Sequence, residues 1–214
     1  LARSIDVYNE NRALLRKLYE LRRKSPPAVT GAEAQEVVIS SMLMPKESHN
    51  RLLVRLLERV GARGDAPSEG VRLFLSASML DDTQFLRLIE ECGGSIVADD
   101  MPMGSRYFFY QVDRVKDPFR ALAERYLQKI PCPRKMLPEA RLSYVMEMIE
   151  GAEVKGAIIH NLRACDCHLY EYPYMRQRLE ERGLPVLFLR GEETETEREQ
   201  KRSDIEAFIE MLGG

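Results

Sequence analysis

A chain of 214 residues, 44% hydrophobic and 31% charged, is long enough for one generous domain, or for one domain with a helical appendage. Its formal net charge of −2 supplies no global field to recruit nucleic acid or an anionic membrane, so neither is an expected partner. Apolar runs are strand-sized, short of the roughly 20 residues that a membrane span needs.

No signal-peptide pattern opens the chain. The four cysteines, Cys92, Cys132, Cys165 and Cys167, include no CxxC pair and sit in a chain too core-rich to need disulfides. Reduced thiols in a cytoplasmic protein are therefore expected. Leu1 in place of an initiating Met suggests a piece of a longer protein.

Residues 3–24 read as a helix with Leu14, Leu15, Leu18 and Leu21 as its apolar stripe. Arg12, Arg16, Arg22 and Arg23 are expected to face water, and Pro26-Pro27 ends the helix. Thr30 reads as the N-cap of a second helix, about Ala32 to Met44, with Glu33 as a favourable first-turn acid. A third helix, Lys46 to Val60, stops at Gly61. The stretch Gly64 to Gly70 reads as a connector. Residues 1–65 are thus assigned to a helical segment and residues 66–214 to an α/β domain.

From Val71 the pattern alternates. Val71–Ser76 is a strand; Asp81 or Asp82 caps a helix running to Glu91, which Gly93-Gly94 closes. Ile96–Ala98 is a second strand ending in Asp99-Asp100. An excursion through Gly104–Tyr107 leads to helices at Pro118–Lys129 and Glu139–Glu150, with Pro131-Cys132-Pro133 between them. The apolar run Val154–Leu162 is the third strand, and Arg163–His168 is its polar tip. A helix from Tyr172 to Arg182, stopped by Gly183, precedes a fourth strand, Pro185–Leu189. The charge run Glu192–Gln200 reads as a solvated loop and helix start, and Arg198–Leu212 as the last helix. Four strands alternating with helices predict a flavodoxin-like, doubly wound parallel sheet of order 2-1-3-4, with a switch point between the first and third strands.

Ligands of such sheets lie beyond the carboxyl ends of the strands. The loop opening at Ser76 lacks GxGxxG and Walker A spacing, which rejects a Rossmann dinucleotide site and a P-loop. It either offers hydroxyls and helix N–H groups to a ligand or only caps its helix. Asp99-Asp100 supplies paired carboxylates for acid–base work or a metal, although neighbouring strand residues alternate faces and need not converge. Arg106 suits a phosphate, a carboxylate or a structural salt bridge. Ser76, Asp100, Gly104 and Arg106 form the candidate substrate-binding set; no catalytic residue is assigned. Cys165-Asp166-Cys167-His168 is the strongest local signal, because a strand tip presents thiolates to an open iron or zinc site. One or two thiols cannot close a four-coordinate site, and inert loop cysteines are the alternative. Cys92 reads as a packing residue; Cys132 stays open. Topology alone also allows a flavin-binding module.

The segments YNENRALLRKLYELRR, GSIVADDMPMGSRYF, CDCHLYEYPYMRQRLEERGLPVLFL and RSDIEAFIE together resemble the 2-hydroxyacyl-CoA dehydratase family, which includes the 2-hydroxyglutaryl-CoA dehydratase D-component and benzoyl-CoA reductase subunits. The resemblance covers nearly the whole chain, corresponds to the C-terminal part of a family subunit, and rests on DD-x-x-x-G-x-RYF together with CD-x-H-x-x-x-YP. It implies an oxygen-sensitive subunit with a 4Fe-4S cluster held by three cysteines, two of them in an N-terminal domain that this chain lacks. Cys165 matches the third. Cys167 stands where many relatives have proline, and Met101-Pro102-Met103 stands where relatives often carry a cysteine.

The implied partners are a related second dehydratase subunit, an ATP-dependent activator iron–sulfur protein and an acyl-CoA substrate. The implied reaction is a lyase reaction: one-electron activation of the thioester to a ketyl radical, followed by loss of water from a 2-hydroxyacyl-CoA. The chain carries no Walker motif, which fits the dehydratase side. By itself it is expected to be inactive. Benzoyl-CoA-type reduction and a non-catalytic cluster-carrying or assembly subunit are the alternatives.

Overall fold

The structure, a computed structural model, describes residues 1–62, 67, 69–115, 117–130, 132–135, 137–191 and 194–213. Three helices come first: α1 (Ala2–Arg22), α2 (Gly31–Leu43) and α3 (Lys46–Gly61). Then follow β1 (Val71–Ala77), α4 (Gln84–Glu91), β2 (Gly94–Asp100), the one-turn α5 (Ser105–Phe108), α6 (Pro118–Gln128) and α7 (Pro138–Ile149). The chain finishes with β3 (Gly156–Asn161), α8 (Asp166–Glu180), β4 (Val186–Arg190) and α9 (Glu195–Gly213).

All strand pairs are parallel and the order is β2-β1-β3-β4, the flavodoxin-like arrangement expected from the alternation. β2 and β3 are buried along their whole length, as strands covered on both faces must be. Alternation along β1 explains the two layers. Leu73, Leu75 and Ala77 face Phe85, Leu86 and Ile89 of α4 with Ile205 and Phe208 of α9. Phe74 faces the other way, toward Leu142 and Val145 of α7 with Met175 and Leu179 of α8.

The first three helices close a further core around Leu15, Leu18, Val38 and Leu53, which Phe108 of α5 joins. Thr30 caps α2 in a full capping box with Glu33. Next to it, a Glu90 carboxylate oxygen accepts from Gly31 N at 2.5 Å and Ala32 N at 3.3 Å. The start of α2 is therefore pinned to α4. The expected boundary at residues 65/66 lies outside the described residues.

Four local expectations are corrected. Arg12 and Arg22 do not face water; they are 6% and 1% exposed, because their side of α1 lies against the rest of the molecule and Arg22 finds an acid there. The helix after β1 starts at Gln84; Asp82 accepts from Gln84 N at 2.9 Å, ahead of the N-cap residue Thr83, and Asp81 is exposed. β2 starts at Gly94, two residues early, since Gly94 pairs with Val71. Finally, α8 begins at Asp166 and carries Pro173 inside it. The expected loop tip is thus partly helix.

Candidate functional site

Because the strands are parallel, Ser76 of β1, Asp100 of β2 and the loop leaving β3 share one edge of the sheet. The loops at the switch point are tied together: Ser78 N donates to His160 O at 3.1 Å and Leu162 N donates to Ser78 Oγ at 2.9 Å.

The aspartate pair splits, as strand alternation requires. Asp99 turns toward α1, where Arg22 Nη2 meets its Oδ2 at 2.8 Å, the two side chains being 1% and 0% exposed. Ser105 N donates to Asp99 Oδ1 at 2.8 Å, Ser105 Oγ donates to Asp99 O at 2.6 Å, and the Tyr144 hydroxyl bonds Ser105 Oγ. Gly104 is required here by close approach: a Cβ would fall on the Asp99 carboxylate and within 3.1 Å of Met101 Cβ. Burial lowers the Arg22 guanidinium's pKa, and Asp99 with Tyr19 more than restores it. Burial, then the Asp99 charge, pushes the Tyr19 hydroxyl well up.

Asp100 turns the other way into a second cluster. It receives Arg106 Nε at 2.7 Å and Arg141 Nη2 at 2.5 Å, with Ser76 Oγ at 3.3 Å. Arg141 also donates to Ser76 Oγ at 3.1 Å and pairs through Nε with Glu171 of α8 at 3.1 Å. Burial would raise the Asp100 carboxyl, but Arg106 and Arg141 hold it below the usual carboxylate range. Glu171 is raised, mainly by burial, against the pull of Arg141. His168, also buried, is lowered to about 3 by burial and by Arg141 and Arg106. Its imidazole is neutral at pH 7. Two guanidiniums and two carboxyls thus compensate each other out of water, which a buried ionic group requires.

Cys165 is the N-cap residue of α8, half-buried, and its side chain makes no capping bond. It is a free thiol at the N-terminal end of that helix. Cys167 lies inside that turn, also half-buried. Among the described residues no group of three or more His, Cys, Asp or Glu is gathered to hold a metal. Cys165 is thus a single sulfur donor, without a closed donor set around it among the described residues. Cys132 lines a cleft beside Arg106. Cys92 is the C-cap of α4, packs against the core, and has its thiol pushed up by burial.

The family model of the 2-hydroxyglutaryl-CoA dehydratase D-component matches residues 1–212. The chain belongs to this family. It is 29% identical over 213 residues to the (R)-phenyllactyl-CoA dehydratase beta subunit of Clostridium sporogenes, covering 99% of this chain and 57% of that relative. It is 25% identical to the lactoyl-CoA dehydratase beta subunit of Anaerotignum propionicum, covering 99% of this chain and 57% of that relative. It is also 25% identical to a benzoyl-CoA reductase subunit of Thauera aromatica, covering 99% of this chain and 56% of that relative. The chain spans a little over half the length of these curated relatives.

Within this family member, Ser76, Asp100 and Arg106 meet in one network, while Gly104 belongs to the Asp99 side. Ser76 and Asp100 are 3% and 0% exposed, so both are committed to protein partners. Arg106 alone of the set also lines a cleft. Sequence reasoning missed Arg22, Ser105, Arg141 and Glu171. Only Arg22 carried a signal, its spacing from Leu15 and Leu18. No helix of the described residues is long and apolar enough to cross a membrane.

Proposed function

We propose that this chain supplies one cysteine ligand, Cys165, to a 4Fe-4S cluster in a subunit that removes water from a 2-hydroxyacyl-CoA. The observation that carries the reading is the placement of Cys165: an uncommitted thiol, capping a helix, beyond the carboxyl end of a central strand of a chain in this family. When bound, such a cluster supplies one-electron chemistry and an iron that polarises substrate oxygen. The chain's own residues hold that corner in place. Glu171, six residues along from Cys165, is clamped by Arg141, which Asp100 fixes to the end of β2. Neutral His168 and the compensated ion pairs keep this side of the helix dry and free of net charge.

The remaining cluster ligands, a related second subunit and an ATP-dependent activator protein would complete the enzyme; relatives named beta subunits support an assembly of more than one chain. Benzoyl-CoA-type reduction is the second reading, favoured by the match to a benzoyl-CoA reductase subunit.

The test is anaerobic purification of the full-length protein with its neighbouring subunit, followed by iron analysis, visible spectra and a CoA-thioester assay. Cys165→Ser is expected to lose cluster iron and activity together, Cys167→Ser to do less, and Cys92→Ser to leave iron unchanged. Full iron retention in Cys165→Ser would overturn the assignment. So would a stoichiometric 4Fe-4S spectrum from the 214 residues alone.

A further inference from the structure

Beyond the carboxyl end of β2, a cleft of about 240 Å³ opens between α1, the Pro102–Tyr107 segment and α6. Arg12, Arg106, Arg125 and Lys129 line it, and among the described residues no aspartate or glutamate does. Arg106 is neutralised by Asp100. The other three have no acid among the described residues. Arg12 donates only to the Asn9 side chain, at 2.9 Å. Arg125 donates to the carbonyls of Tyr110 and Tyr107, at 3.0 and 3.2 Å. Among the described residues Lys129 meets only the Tyr126 ring, 6.0 Å from its centroid.

The cations are spread over aromatic faces: Arg12 lies 5.7 Å from the Tyr8 centroid and Arg125 4.8 Å from that of Tyr126. Rings soften the repulsion but do not cancel the charge. Burial, and then the nearby Arg125, lowers Arg12 to about 10. A protein surface that concentrates one sign of charge in a concave site attracts the opposite sign, and the strand-end position is where such sheets bind ligands.

We propose that this cleft binds a phosphate-bearing anion, holding a phosphate or diphosphate group between Arg12, Arg125 and Lys129. Guanidiniums give directed, paired hydrogen bonds to phosphate oxygens and the ammonium adds a mobile point charge. The volume lies below that of sites enclosing whole drug-sized ligands, so the cleft takes the phosphate end and leaves the remainder of a carrier outside. The same chemistry is offered by free pyrophosphate, by an adenine nucleotide and by the diphosphate of coenzyme A. The proposal goes beyond the dehydratase reading and does not depend on Cys165.

The experiment is calorimetric titration of the full chain with inorganic pyrophosphate, ADP and coenzyme A at fixed ionic strength. Saturable one-site binding is expected. Arg12→Gln with Arg125→Gln should weaken it by about tenfold or more, the range for charged hydrogen bonds. Arg125 also holds backbone carbonyls, so Lys129→Gln, which loses no hydrogen bond, provides the second variant; it should weaken binding severalfold with an unchanged circular dichroism spectrum. Arg120→Gln, on the same helix but paired with Glu124 outside the cleft, should leave binding unchanged. A tenfold preference for coenzyme A assigns the site to an acyl carrier; equal affinity for pyrophosphate assigns it to free phosphate. Absence of saturable binding, or equal losses in Lys129→Gln and Arg120→Gln, overturns the proposal.

Discussion

Arg22→Met is the sharpest probe of how the helical segment is attached to the sheet. The substitution keeps an unbranched stem but ends where the arginine's Nε lies, so the guanidinium, whose carbon sits 3.8 Å from the Tyr19 ring centroid, is lost with its stacking contact. What it removes is the cation paired to Asp99 at 2.8 Å, where both side chains are out of water. Breaking a buried pair from one side costs about 3–5 kcal/mol, because the remaining charge is stranded. Asp99 retains the bond from Ser105 N, so the lower end, about 3 kcal/mol, is expected. For a chain of this size each kcal/mol moves the melting temperature by about 2–4 °C, which gives a fall of about 6–12 °C. Urea denaturation followed by far-UV circular dichroism measures it. The double variant Arg22→Met with Asp99→Asn should be more stable than Arg22→Met alone, since it strands no full charge. A loss below about 1 kcal/mol in the single variant, or a double variant worse than the sum, would refute a buried pair as the tie.

Gly104→Ala should destabilise by about 1–3 kcal/mol, because the added methyl overlaps the Asp99 carboxylate; an unchanged denaturation midpoint would remove the close approach. His168 makes stability depend on pH. Its folded value of about 3 lies below the ordinary 6.5, so between these the unfolded chain binds more protons, and stability is lost as pH falls from about 6.5 toward 3. The loss is at most about 4–5 kcal/mol from a shift of that size, and His168→Gln, followed by urea melts across that window, should flatten this limb.

The strands were readable as short, mainly apolar runs between glycine-bearing turns and polar tips, and their order from the alternation with helices. The failures come from residue type overruling position. Arg22 lies seven residues after Leu15 and four after Leu18, on the stripe that is buried. A guanidinium is rarely found there unless paired, and its partner Asp99 sits on a strand that no local pattern connects to α1. The start of α8 also differs: the expected helix begins at Tyr172, whereas the structure starts it at Asp166 and carries Pro173, a residue that favours a helix's first turn, in its interior. The six residues gained are what turn Cys165 from a loop residue into a helix cap.

The Asp99-Asp100 pair explains why the strand-end residues sort into two kinds. Each aspartate is consumed by arginines from a different layer: Asp99 by α1, Asp100 by the α5 and α7 sides. Together they lock the end of β2 between the helical segment and the helices on the opposite face. Neither is left open to a substrate. What the lock leaves uncommitted is half-buried Cys165 at one side of the switch point and the cation-lined cleft at the other. Arg106 belongs to both regions, because Asp100 fixes the guanidinium that also forms a wall of the cleft. Loss of the Asp100 carboxylate would therefore remove one anchor from Arg106, which keeps its bonds to Ala77 O and Asp100 O, and one from Arg141, which keeps its pair with Glu171. An effect of Asp100→Asn on cluster iron or on anion binding consequently reads as loss of positioning, and only Cys165 and the three cleft cations without an acid test the two sites directly.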